Sequence, residues 1–237
     1  MNNFIQKTYE DIGAEFATPI NNLTEKLKDI KAFVFDWDGV FNSGEKNGNG
    51  SSSFNEIDSM GTNLLRFSHY LKHKQLPHTA LISGEKNESA FFFTQREHFS
   101  ASYFKIAHKK WALDHFCSIY SIHPNQVCYF FDDVLDLSIA QQAGLRVLVA
   151  RKASNLFTNY VKQNKLADYI TANQSGNFAV REACEMLMGA NETFDETITR
   201  RMNYDEVYQQ YIMTRDLTPT HFYTYNNRQI INADIKL

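Results

Sequence analysis

Short apolar runs alternate with longer stretches of helical spacing along most of the chain. The first run, Lys31-Ala32-Phe33-Val34-Phe35, mixes aromatic and β-branched residues and predicts a buried strand. Further strands are predicted at 79–82, 104–106, 127–131, 145–150 and 168–171. Between them apolar residues recur at helical spacing. Met60, Leu64, Phe67 and Leu71 mark one helix, and Trp111, Phe116, Ile119 and Tyr120 another. Helices are also predicted around 87–97 and 155–164, with a short one stopping at Gly144, a fitting C′ residue. Strands that alternate with helices imply an α/β domain with a parallel sheet wrapped by helices.

The flanks differ from this body. Residues 1–30 read as an amphipathic helical extension, with Leu23, Leu27 and Ile30 on one face. Residues 42–53 are rich in Gly, Asn and Ser and predict a mobile loop or hairpin. The tail, 201–237, carries Tyr204, Tyr208 and Tyr211 at i, i+4 and i+7, then Pro219 and an extended stretch from His221 to Tyr225. It is too short to bury a core of its own and is expected to pack on the body or on a partner subunit.

Composition narrows the class. Of 237 residues, 43% are hydrophobic and 22% charged, the balance of an ordinary globular chain. The net charge of −3 lacks the basic footprint of a nucleic-acid binder. No apolar run approaches the roughly 18 residues of a membrane span, and the polar start, MNNFIQKTYEDIGAEF, has no secretory h-region. Cys117, Cys128 and Cys184 are widely spaced and flanked by apolar residues, which reads as buried free thiols in a reducing compartment. A cytoplasmic location is the expectation.

The candidate chemistry sits where α/β sheets place their ligands, at the carboxyl ends of strands. The strand at 31–35 ends in Asp36-Trp37-Asp38-Gly39, that at 79–82 in Ser83-Gly84, and that at 127–131 in Asp132-Asp133-x-x-Asp136. Lys109-Lys110 opens a helix between the second and third of these. Clustered carboxylates repel unless a cation joins them, and an all-oxygen set without His or Cys points to a hard divalent ion, Mg²⁺ first. Blander readings exist for each motif taken alone: Asp and Gly are common in turns, and acids are favoured at helix N-termini. His69 and His73 have zinc-protease spacing but lack the Glu of HExxH, so a surface face is expected. Phe91-Phe92-Phe93 reads as core or an oligomer contact.

Taken in order, DxDG, Ser, Lys and DDxxD resemble the haloacid dehalogenase (HAD) superfamily of phosphotransferases. Asp36-Trp37-Asp38-Gly39-Val40-Phe41, the segment Phe54 to Gly61, and Ala167-Asp168-Tyr169-Ile170-Thr171 with Ala179-Val180-Arg181-Glu182 resemble its 3-deoxy-D-manno-octulosonate 8-phosphate (KDO-8-phosphate) phosphatase family. The similarity spans roughly 31–200. It implies a Rossmann-like domain with a small β-hairpin flap at about 42–58, no large cap domain, and a homotetramer. By matching positions it implies Asp36 as nucleophile and Asp38 as general acid and base. Asp36, the Asp38 backbone carbonyl and Asp132 would hold Mg²⁺. Ser83 would bind a phosphoryl oxygen, and Lys109 or Lys110 would neutralise the transferring group. Gly84, Asp133, Asp136, Asp58 and Arg181 would support the site or contact substrate. The departures are Phe131 for a family Gly, which would narrow the pocket or bend the strand, Ser59 for Gly, Asn177-Phe178 for Arg-Gly, and Gly50-Ser51-Ser52-Ser53 for a charged stretch. The expected activity is hydrolysis of a small phosphorylated sugar acid. The alternatives are another small phosphate ester, or a catalytically weak interaction protein that keeps the fold.

Overall fold

The computed structural model describes residues 2–235. Its centre is one nine-stranded sheet, flanked by helices on both faces. The chain enters through α1 (Asn2–Glu10), a short strand β1 (Glu15–Phe16) and α2 (Ile20–Leu27), and then forms β2 (Ala32–Phe35). The first thirty residues are thus not wholly helical: Glu15 and Phe16 pair antiparallel with Ile170 and Tyr169 and close that edge of the sheet.

From β2 the chain passes through α3 (Glu56–His73), β3 (His78–Ile82), α4 (Glu88–Arg96), β4 (Ala101–Phe104) and α5 (Lys109–Tyr120). It then crosses to the other side of β2 through β5 (Val127–Phe131), α6 (Leu137–Ala140), β6 (Leu145–Ala150), α7 (Asn155–Gln163) and β7 (Tyr169–Gln174). Spatial order along the sheet is β7-β6-β5-β2-β3-β4, all parallel. The order reverses between β2 and β5, and the crevice at their carboxyl ends is the usual ligand position of such sheets.

Alternate residues of each strand enter opposite cores. Phe33, Phe35, Cys128, Phe130 and Val147 pack under α1, α2, α3 and α8 (Ala179–Ala190). Ala32, Val34, Ile82, Tyr129 and Phe131 pack under α5, α6 and α7. Both faces of the central strands are therefore apolar, which is why these strands read as unbroken apolar runs. All three thiols are free and buried, Cys128 and Cys184 in the first core and Cys117 in the second.

Four expectations change. The strand placed at 104–106 lies at 101–104. Its Ala101 and Ser102 give little hydrophobic signal, and Lys105, with φ +56°, ends it. No strand ladder forms over 42–55; the segment is a loop with an Asn47–Ser51 turn, since its Gly, Asn and Ser residues have low strand propensity. Residues 56–58 already belong to α3, with Asn55 as its N-cap. His69 is buried, not on a surface face, because its side of α3 packs on the sheet: its ring meets Phe33 edge-on and stacks on His73.

The tail joins the body. Helices α9 (Phe194–Asn203) and α10 (Glu206–Asp216) set Tyr208 and Tyr211 against Phe67. Strand β8 (His221–Asn226) then pairs in parallel with β4, and β9 (Gln229–Asn232) turns back on it. Tyr223 stacks on Tyr103, extending the core over the added strand. Among the described residues, no helix is long and apolar enough to cross a membrane.

Candidate active site

Asp36 directly follows β2, and its backbone amide donates to the Phe130 carbonyl of β5 at 3.0 Å, so the sheet itself fixes its position. The chain then turns sharply: the amides of Val40 and Phe41 both donate to the Trp37 carbonyl. Gly39 sits at φ +86°, and a Cβ there would overlap the Asp132 carboxylate. Only glycine meets both demands. The pocket, of about 250 Å³, is lined by Asp36, Asp38, Ser83, Gly84, Lys109, Asp132, Asp133 and Asp136, joined by Glu85, Leu135 and Arg151.

At its floor lies a buried ionic cluster. Lys109 Nζ is 2.5 Å from Asp36 Oδ1 and 2.6 Å from Asp136 Oδ1. Asp136 also accepts from the Tyr129 hydroxyl at 2.6 Å and from the amides of Asp132 and Asp133. Its carboxylate is thus held on every side and in turn holds the ammonium. Burial lowers the Lys109 pKa, but Asp136 and Asp36 more than reverse this, so the ammonium is secure. Burial, reinforced by Asp136 and opposed by Lys109, pushes the Asp36 carboxyl up to about 7. Burial and the same two carboxylates raise Tyr129 well above its usual range, so it remains a donor.

Asp36, Asp132 and Asp136 each place a carboxylate oxygen within 4.8 Å of the others. Asp132 Oδ1 is buried without a hydrogen-bond partner, while Oδ2 is held by Arg151. An orphaned anionic oxygen costs several kcal/mol in a dry site, roughly 2–7 even for a neutral polar group. The set, all oxygen and short of positive charge, fits a hard divalent cation such as Mg²⁺. Such an ion would also favour the ionised form of Asp36.

Ser83 caps β3, its amide bonded to the Tyr103 carbonyl and its Oγ accepting from the Glu85 amide at 3.2 Å. Of the lysine pair, Lys109 enters the cluster; Lys110 turns outward to Asp114 at 2.6 Å. Asp133 lies at the mouth, bonded to Arg151 at 3.1 Å. Asp58 and Arg181 do not line this pocket. Asp58 Oδ1 accepts the Arg181 amide at 2.8 Å where α3 meets α8, and the Arg181 guanidinium pairs with Glu185. Phe131 does not narrow the pocket either: it stacks flat on Tyr129 within the core.

Sequence reasoning missed Arg151, Lys46, Ser52 and Asn87. Arg151 follows β6, so the strand-end rule pointed to it. Lys46 and Ser52 both bond Asp38 from the loop, and nothing periodic marks them.

No protein-family model matches the chain. KDO-8-phosphate phosphatase KdsC of Escherichia coli K12 is 28% identical over 192 residues, covering 78% of this chain and 95% of that enzyme. The Salmonella typhimurium enzyme of the same name matches equally. Among solved structures, a HAD superfamily (subfamily III A) hydrolase from Legionella pneumophila superposes with TM-score 0.64 at 26% identity, covering 78% of this chain and 96% of its own. KDO-8-phosphate phosphatase from Moraxella catarrhalis, solved with magnesium, phosphate and KDO, gives 0.64 at 27%, covering 76% and 97%. The order of its motifs and the fold that gathers them make the chain a phosphatase of the haloacid dehalogenase superfamily, similar to the KDO-8-phosphate phosphatases.

Proposed function

We propose that the chain is a Mg²⁺-dependent phosphomonoesterase that hydrolyses a phosphorylated sugar acid of the KDO-8-phosphate kind through an aspartyl-phosphate. The observation that carries this is the buried Asp36–Lys109–Asp136 cluster beside the orphaned Asp132 oxygen. Asp36, Asp132 and the Asp38 backbone carbonyl would hold the metal. Bound there, Mg²⁺ offsets the charge repulsion between the attacking carboxylate and the phosphate. Asp36 attacks phosphorus as the ester P–O bond breaks, and Asp38 gives its proton to the departing oxygen. Asp38 then takes a proton from the water that cleaves the acyl phosphate, an exchange typically worth ~10²–10⁴ in rate. The Ser83 hydroxyl and Lys109 bind the oxygens of the transferring group. Asp136 and Tyr129 hold Lys109 in place.

The test is phosphate release from a panel of sugar phosphates with Mg²⁺ or EDTA, beside Asp36→Asn. Release that needs both Mg²⁺ and Asp36, fastest on a sugar-acid phosphate, is the expected result; no release from any ester would refute it. A second reading, another small phosphate ester, is favoured by Arg181, which is tied to Glu185 outside the pocket and leaves one basic contact fewer for a carboxylate. Equal rates across the panel would select it. The family resemblance also supports a homotetramer, which light scattering tests.

A further inference from the structure

The loop 42–55 is composed like a free linker, yet it is pinned over the site by a chain of side chains. Asn87, 1% exposed, is the N-cap of α4: its Oδ1 accepts from the amides of Ser89 and Ala90. That leaves its Nδ2 to point away from the helix, where it donates to Ser52 Oγ at 2.9 Å. Ser52, 2% exposed, receives a second donor, Lys46 Nζ, at 3.2 Å. A serine hydroxyl has two lone pairs and one proton. With both lone pairs engaged by donors that cannot accept, the proton has one direction left, and Asp38 Oδ1 lies in it. Lys46 pairs with the other oxygen, Oδ2.

We propose that Asn87 and Ser52 are positioning residues that divide the labour of the two Asp38 oxygens. Oδ1 is reserved for the Ser52 hydroxyl, and Oδ2 alone carries the proton exchanged with substrate. This rests on the phosphatase reading above. In the first step the Oδ2–H bond breaks and its proton goes to the ester oxygen as that oxygen leaves phosphorus. In the second, Oδ2 takes a proton from the attacking water. Lys46, a third exposed, faces Oδ2 until the substrate displaces it, and Oδ2 takes up the proton it will donate from solvent water as the substrate enters. Holding the acid in one rotamer matters most for a leaving group that cannot depart as an anion.

The leaving group therefore provides the test. Ser52→Ala and Asn87→Asp are assayed on an alkyl sugar phosphate, which needs the proton, and on p-nitrophenyl phosphate, whose phenolate leaves without it. Asn87→Asp keeps an acceptor for the α4 cap but loses the donor to Ser52. The expected result is a kcat fall of about 10–100-fold on the alkyl ester against less than about 3-fold on the aryl ester. Ser52→Thr should restore the alkyl rate, and Mg²⁺ affinity by calorimetry should be unchanged. Equal losses on both esters, or none, would overturn the proposal while leaving the phosphatase reading intact. A wild-type chain inert on both would overturn the two together.

Discussion

Replacing Lys109 with Met tests the buried cluster directly. The ammonium lies 2.5 Å from Asp36 and 2.6 Å from Asp136, with side-chain exposures of 3%, 9% and 1% for the three residues. Met matches the aliphatic stem and deletes only the charge, leaving carboxylates within 4.8 Å of one another. Removing one partner of a buried ion pair costs about 3–5 kcal/mol. At roughly 2–4 °C per kcal/mol for a domain of this size, the melting midpoint should fall on the order of 10 °C. The penalty depends on pH with a definite sign. Without the ammonium the folded pKa of Asp36, already raised, moves further above its unfolded value, so the loss is greatest above neutrality and shrinks as Asp36 takes up a proton toward pH 5. Thermal or urea unfolding in EDTA measures it. Saturating Mg²⁺ at 100 times its Kd should return about 2.7 kcal/mol. Lys110→Met, which removes only an exposed pair, should stay within about 0.5 kcal/mol of wild type. A Lys109→Met protein with the wild-type midpoint in EDTA at pH 8 would refute the charge compensation on which the site is built.

Other outcomes follow from the same packing. Gly39→Ala forces a Cβ into the Asp132 carboxylate and strains a φ of +86°; calorimetry should show Mg²⁺ affinity reduced at least about 10-fold, and unchanged affinity would remove the steric argument. His69 is pushed down to about 3 by burial, reinforced by His73 and His78. Its folded pKa lies below the unfolded value, so folding loses stability as pH falls from about 6.5 toward 3, by about 2 kcal/mol at pH 5. Urea unfolding of His69→Phe at pH 7.5 and pH 5 should show that much less acid sensitivity than wild type. Deleting residues 218–237 strips β8 from β4 and uncovers Tyr103 and Phe91; light scattering should then report aggregation, the usual fate of a bared apolar edge.

The site was legible where an apolar run ends in chemistry. Asp36, Ser83 and Asp132 each stand one residue beyond a short strand, so the sheet gathers what the sequence spaces far apart. Choosing between Lys109 and Lys110 needed the helix phase, which α5 supplies only once it is packed. The latch over Asp38 escaped notice because loop residues carry no period; the charged stretch missing before Phe54 is answered by Lys46 in space, not in register. Asp58 and Arg181 were placed by resemblance alone, and in this chain they join two helices outside the pocket. Strand β4 was misplaced because Ala and Ser are small enough for the crowded sheet but too weakly apolar to announce it.

The sheet separates two cores, and the buried thiols are divided between them: Cys128 and Cys184 on one side, Cys117 on the other. Burial raises all three pKa values, so the folded protein should resist alkylation. The native cysteines thus form an internal clock of opening. If the two layers come apart as one cooperative unit, all three will be modified at a single rate; if one side loosens first, its label will appear ahead of the other's, without any engineered probe.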